Sequence, residues 1–147
     1  SGVPLSGLAE TLQRMPATVQ ERWFARLFLL KPLLVLTLAL FWLATAVIAC
    51  INPEPALALL TAAGVTGTTA KAISFGGAAI DAVLGLAVLH RRSLRAAAMG
   101  MIAVTAGYLT GGTILLPSLW LDPLGPLVKP LPAAMLAVVL LAIADDR

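Results

Sequence analysis

The sequence predicts an all-α protein: a bundle of four membrane-spanning helices, preceded by an amphipathic segment at the interface. Three observations point there. Sixty per cent of the 147 residues are hydrophobic and only 12% are charged, against about 25% charged in an ordinary soluble domain. The charges gather at segment ends, with none from Pro32 to Pro53 and none from Ala96 to Leu121. Both runs exceed the ~20 apolar residues that cross a ~30 Å hydrocarbon layer, and neither carries the polar face of a soluble core helix.

Residues 1–31 form the lead-in. Leu5, Leu8, Leu12, Val19, Trp23, Leu27 and Leu30 recur mostly three or four apart, with Arg14, Arg22, Arg26 and Lys31 on the other side. That spacing predicts two short helices parted by Pro16 and lying on the membrane surface. The bundle occupies 32–147. Its first span covers about 32–51, with Pro32 acceptable in a first turn, and Asn52-Pro53-Glu54-Pro55 ends it. The apolar stretch at about 56–63 is too short to cross and is followed by Gly64 and Gly67, so it belongs in the interface. The second span covers about 68–90 and the third about 96–116, joined by the basic turn His90-Arg91-Arg92-Ser93-Leu94-Arg95. A turn-rich loop with Pro123, Gly125, Pro126 and Pro130 leads into a fourth span at about 127–144.

Orientation follows from lysine and arginine placement. With four spans, Arg14, Arg22, Arg26, Lys31, Arg91, Arg92, Arg95 and Arg147 share one side, and only Lys71 and Lys129 lie opposite. Eight against two places both termini in the cytoplasm. The net charge of +3 is thus a topology signal rather than a nucleic-acid patch. The first long apolar run starts at Leu33, too deep and too long for a secretory h-region. The chain opens on Ser1 and not Met, which fits a processed product, a tagged chain or a segment of a longer polypeptide.

Asp81 is the position that hints at chemistry. It stands alone in the apolar, glycine-lined stretch from Ser74 to Leu89, and an ionisable group at bilayer depth costs roughly 2.5–3.5 kcal/mol on insertion scales. Gly77 and Gly85 lie four residues to either side and Ser74 seven before, all on one helical face. The third span offers Gly100, Val104, Gly107 and Gly111 as a matching face, so Gly77, Gly85, Gly107 and Gly111 are the expected helix-packing residues. If the two spans are antiparallel, Thr105 or Tyr108 reaches Asp81. Two readings stand side by side: a carboxyl bonded across helices, or an acid that handles a proton or anchors a ligand. Trp42, near the middle of the first span, packs the core or lines a pocket with Phe41. The candidate ligand-binding residues are therefore Asp81, Trp42, Tyr108 and Thr105.

Elsewhere the residue types exclude more than they suggest. Glu54, Asp122, Lys71 and Lys129 gather on the outer side, either as part of a solvated loop or with an Asp122–Lys129 pair stapling it, a pair worth under ~1 kcal/mol. Cys50 is the single cysteine, which rules out an internal disulfide or a CxxC pair. His90 has no second ligand nearby, so no metal site is expected. No phosphate-binding loop, dinucleotide fingerprint or nucleophile–base pair occurs.

Several stretches, taken in order, resemble one family. They are Glu21-Arg22-Trp23-Phe24-Ala25-Arg26-Leu27, Leu30-Lys31-Pro32-Leu33, Leu40-Phe41-Trp42-Leu43-Ala44, Gly76-Gly77-Ala78-Ala79-Ile80-Asp81, Leu84-Gly85-Leu86, Tyr108-Leu109-Thr110-Gly111-Gly112-Thr113 and Trp120-Leu121-Asp122-Pro123-Leu124-Gly125-Pro126. Together, over about 21–147, they resemble the DoxX-like family of bacterial membrane proteins, in the branch fused to a short-chain-dehydrogenase-like NAD(P)-binding domain. The resemblance implies a four-helix bundle in the bacterial inner membrane, architecturally related to small quinone-linked redox subunits. It implies a cytoplasmic NAD(P)-binding oxidoreductase domain as partner, with NAD(P) reaching the protein only through that domain. The expected function is an accessory or anchor module of an oxidoreductase, with a quinone or other isoprenoid lipid held near Asp81. A purely structural anchor and a lipid-binding or transport protein are the alternatives. Glycine faces leave room for a homo-oligomer.

Overall fold

The computed structural model describes Gly7, residues 19–123 and residues 125–144, apart from the side chain of Phe24. Among these residues five α-helices follow one another: α1 (Val19–Ile51), α2 (Glu54–Ala62), α3 (Gly67–Ala87), α4 (Leu94–Leu115) and α5 (Pro130–Ala142). A short 3-10 helix, Pro117–Leu121, lies between α4 and α5, and the described residues contain no strand.

Four of these helices close a ring. α1 packs on α3, α3 on α4, α4 on α5 and α5 back on α1, with the α1–α3 and α4–α5 interfaces the broadest. Small residues set the spacing. A Cβ on Gly85 would lie 2.9 Å from Leu43 Cγ, one on Gly100 would lie 2.7 Å from Leu84 Cδ2, and one on Gly112 would lie 2.7 Å from Leu127 Cδ2. These contacts tie the late part of α3 to the middle of α1, and the start of α4 to the end of α3. The neighbours therefore run antiparallel.

The core is displaced toward one end of the ring. Leu38, Ala39 and Trp42 of α1 meet Val88, then Ala97, Ala98 and Met101 from the first two turns of α4, and Ala137 and Leu140 of α5. Four alanines among nine residues let the helices approach closely at this end. At the same end, Lys31 Nζ donates to the carbonyls of Ile143 at 2.8 Å and Ala144 at 3.3 Å. A cation there satisfies carbonyls that a helix C-terminus leaves open and opposes its dipole. The turn between α3 and α4 is held by Ser93, whose hydroxyl donates to Ala87 O at 2.7 Å.

The outer faces are apolar. Only 22% of the most hydrophobic window of α1, and 17% of those of α3 and α4, is buried within the protein. Leu29, Leu33, Ile48, Val83, Ile114 and Met135 are among the large side chains left exposed. Hydrocarbon is the surrounding that accepts such faces, because each helix satisfies its own backbone polar groups. α1, α3 and α4 are long and apolar enough to cross a membrane.

Two boundaries differ from the sequence expectation. Helix α1 runs unbroken through Pro32 for 33 residues, about 50 Å at ~1.5 Å per residue, so residues 19–31 continue the first helix instead of forming a separate one. Proline removes one backbone donor and adds a steric clash, which kinks or ends a helix only when flanking turns cannot hold it. The first of the two expected short helices lies outside the described residues, as do Arg14 and Arg147. The last helix is shorter than the expected 127–144, because residues 126–129 form turns and α-geometry holds for 13 residues. Prolines at 126, 130 and 132 deny the start of that stretch three backbone donors.

Between Ile51 and α3, the nine-residue α2 lies against α3. It ends at Ala62, and two residues on the chain turns at Gly64, whose φ of 83° lies in the left-handed region that favours glycine.

Candidate functional site: a polar seam between α1 and α3

Asp81 lies on the face that α3 turns into the bundle. Ala70, Ala78, Gly85 and Val88 on that face are buried, Ser74 and Asp81 partly so. The spacing of three and four follows one side of a helix. Because Ala78 and Gly85 carry almost no side chain, α1 comes close enough to present a hydroxyl to the carboxyl between them.

That hydroxyl belongs to Thr45. Its Oγ1 is 3.2 Å from Asp81 Oδ2 and 2.8 Å from the carbonyl of Trp42 one turn back. A threonine has one proton to give, so Trp42 O and Asp81 share a single donor. Sequence reasoning placed the partner of Asp81 on the next helix, at Thr105 or Tyr108. The structure puts it on α1 instead, where Gly85 lets α3 approach the backbone of Leu43.

Two polar atoms on the same two helices are orphaned. Trp42 Nε1 and Ser74 Oγ are buried with no hydrogen-bond partner. Trp42 itself is 5% exposed and meets Phe41 edge-on, with ring centroids 6.4 Å apart. A buried donor left unpaired costs about 1–3 kcal/mol, so two of them on two neighbouring helices are notable. Trp42 and Thr45 lie one turn apart on α1, with Trp42 packed into the core, and the Thr45–Asp81 bond joins α1 to α3. Ser74 is two turns from Asp81, about 10 Å along the axis.

The other expected site residues are placed apart from this seam. Thr105 is buried, and its hydroxyl donates to Met101 O at 2.8 Å. Tyr108 is exposed on α4. Of the glycines expected to pack helices, Gly85 is in close contact, whereas a Cβ on Gly77, Gly107 or Gly111 would meet nothing within 4 Å. Gly100 and Gly112 make the other close approaches.

At the far end from Lys31, Glu54 opens α2, Asp122 follows the 3-10 helix and Lys129 precedes α5. Among the described residues Lys129 forms no ion pair, so of the two readings the Asp122–Lys129 staple is not made. The loop is pinned instead by Trp120 Nε1, which donates to Thr113 Oγ1 at 3.1 Å. Cys50 is exposed, and no group of three metal-ligating side chains comes together among the described residues.

Sequence reasoning missed Thr45, although a signal was present. Thr37 and Thr45 are the two hydroxyls in the charge-free first span, and Thr37 spends its proton on Leu33 O.

A protein-family model described as the DoxX-like family matches residues 39–138, which takes in α2, α3, α4, most of α5 and the C-terminal part of α1. The chain belongs to the DoxX-like family. It is a multi-pass membrane protein of that family, and its matched region contains Trp42, Thr45, Ser74 and Asp81. Searches of curated proteins and of solved structures found no match.

Proposed function

We propose that this DoxX-like protein is a membrane-embedded accessory module of an oxidoreductase. Its α1–α3 seam holds the polar head of an apolar ligand, a quinone or another isoprenoid lipid. The observation that carries this reading is the Thr45–Asp81 bond between α1 and α3, on two helices that also hold the unpartnered Trp42 Nε1 and Ser74 Oγ, in a bundle otherwise lined with aliphatic side chains. An apolar site with a few convergent polar groups is what such a ligand requires. Trp42 Nε1 supplies a donor with no acceptor, which a ring carbonyl matches. Asp81 and Thr45, one turn away, offer a carboxyl and a hydroxyl for the same head group to share.

In this reading α5 and its flanking turns make a fourth crossing, and the end carrying Lys31 and the His90–Arg95 turn faces the cytoplasm of a bacterium. An NAD(P)-binding oxidoreductase domain docks or is fused there and supplies the hydride chemistry. The open faces at Gly77, Gly107 and Gly111 admit a second copy or a helix of that partner.

The test is a mass spectrum of ligands extracted from protein purified out of native membranes. It is paired with quinone titration of a variant in which Trp42 is the sole tryptophan (Trp23→Phe, Trp120→Phe). An isoprenoid species should co-purify, and added quinone should quench Trp42. Asp81→Asn and Thr45→Val should weaken that quenching roughly tenfold, the effect of about 1.4 kcal/mol. Empty spectra, together with quenching indifferent to both variants, refute the reading.

A further inference from the structure

The short last helix creates a second feature, where α5 meets α1. From Lys31 to Ile51, α1 rises by 20 residues, about 30 Å. From the Lys31 contact at Ile143 back to Pro130, α5 covers 13 residues, about 20 Å. Since Lys31 and Ile143 fix the two helices at one end, α5 stops about 10 Å short of α1 at the other. Along their junction lies a groove of about 190 Å³, lined by Thr37, Leu38 and Phe41 from α1 and by Pro132, Ala133 and Leu136 from α5, with Lys129 at its end.

Two properties of this groove select its occupant. Its walls are almost wholly hydrocarbon, because Thr37, the one polar side chain besides Lys129, gives its proton to Leu33 O at 2.8 Å. Lys129 has no carboxylate partner among the described residues, and it enters about one Lys-length below the level where α1 ends. A cation at that depth extends its stem toward the interface and seeks an anion there. The backbone at this helix start offers little help, since Pro130 and Pro132 have no N–H and Leu131 N already donates to Val128 O.

We infer that the α1–α5 groove is a binding site for one anionic phospholipid of the surrounding bilayer, its phosphate on Lys129 and an acyl chain along Phe41, Ala133 and Leu136. Lysine near a membrane surface contributes an anionic-lipid preference of about fivefold, and the walled groove turns that preference into a fixed site. The proposal is separate from the α1–α3 seam, and neither depends on the other.

The test uses the full chain in nanodiscs, with Trp42 as the sole tryptophan. Trp42 contacts Phe41, which lines the groove, so a brominated acyl chain there quenches its fluorescence. The probes are phosphatidylglycerol and phosphatidylcholine with the same brominated chains, each diluted into unlabelled phosphatidylcholine. Phosphatidylglycerol should quench at about fivefold lower mole fraction. Lys129→Gln should erase that difference, and Thr37→Phe, which fills the groove and keeps the charge, should erase it too. Lys71→Gln, which removes the other lysine at this end, should leave it intact. Equal quenching by the two lipids overturns the inference. So does a Lys71→Gln loss as large as that of Lys129→Gln, which would mean a diffuse surface charge.

Discussion

The closest approach between α1 and α3 gives the sharpest prediction, through Gly85→Ala. The new methyl would lie 2.9 Å from Leu43 Cγ, 3.1 Å from Leu43 Cδ2 and 3.2 Å from the Leu43 backbone nitrogen. A rotamer change can move Cδ2, but it cannot move the nitrogen, so the two helix axes must part. Overpacking of this kind costs about 1–3 kcal/mol. Alanine also gains about 1 kcal/mol of helix propensity over glycine, which obscures a comparison with the wild type. Gly77→Ala removes that ambiguity, because it gains the same propensity on the same helix and its methyl meets nothing within 4 Å. Gly85→Ala should therefore be less stable than Gly77→Ala by the full overpacking term, about 1–3 kcal/mol. Gly100→Ala should fall between them. Only the terminal Cδ2 of Leu84 crowds it, at 2.7 Å, while Cγ stands off at 3.9 Å, so that methyl can swing aside. The assay is reversible unfolding in mixed detergent micelles, followed by far-ultraviolet circular dichroism. If Gly85→Ala and Gly77→Ala unfold within about 0.5 kcal/mol of each other, the usual surface-mutation range, the close α1–α3 contact is wrong. The placement of Asp81 against Thr45 then goes with it.

Thr45→Val keeps the shape of the side chain and removes the hydroxyl shared by Trp42 O and Asp81. It should lower stability by about 1–2 kcal/mol, and Asp81→Asn, which can still accept from Thr45, should lower it less; the reverse order in the same unfolding assay would contradict the assigned bond. Lys31→Met deletes the two bonds to Ile143 O and Ala144 O. Hydrogen exchange should then quicken in the last turn of α5 by an amount equivalent to about 1–2 kcal/mol, while the middle of α4 stays unchanged; uniform quickening would point to global loosening instead. Trp120→Phe should free the loop after α4 and quicken exchange over residues 117–123 alone, since its bond to Thr113 is local and exposed.

What the sequence determined by itself is the class of structure and the neighbourhood of its chemistry. Long charge-free runs can be stable only as helices in hydrocarbon, so the crossing segments were legible to within a few residues for α3 and α4. The isolated Asp81 was legible for the same reason: a carboxyl among apolar residues is visible in one dimension. The tertiary structure alone decided which helix would face it. The faces of α1 and α4 are alike in one dimension, each offering small residues and hydroxyls, and both could have met Asp81. The choice fell to α1, where Leu43 fits over Gly85, a complementarity of two surfaces that no periodicity encodes. The same holds for Lys31, which counts in the sequence as one charge of a topology signal and becomes in space the cap of a helix over a hundred residues away. It holds again for α5, whose prolines shorten the helix and leave the groove beside α1 open.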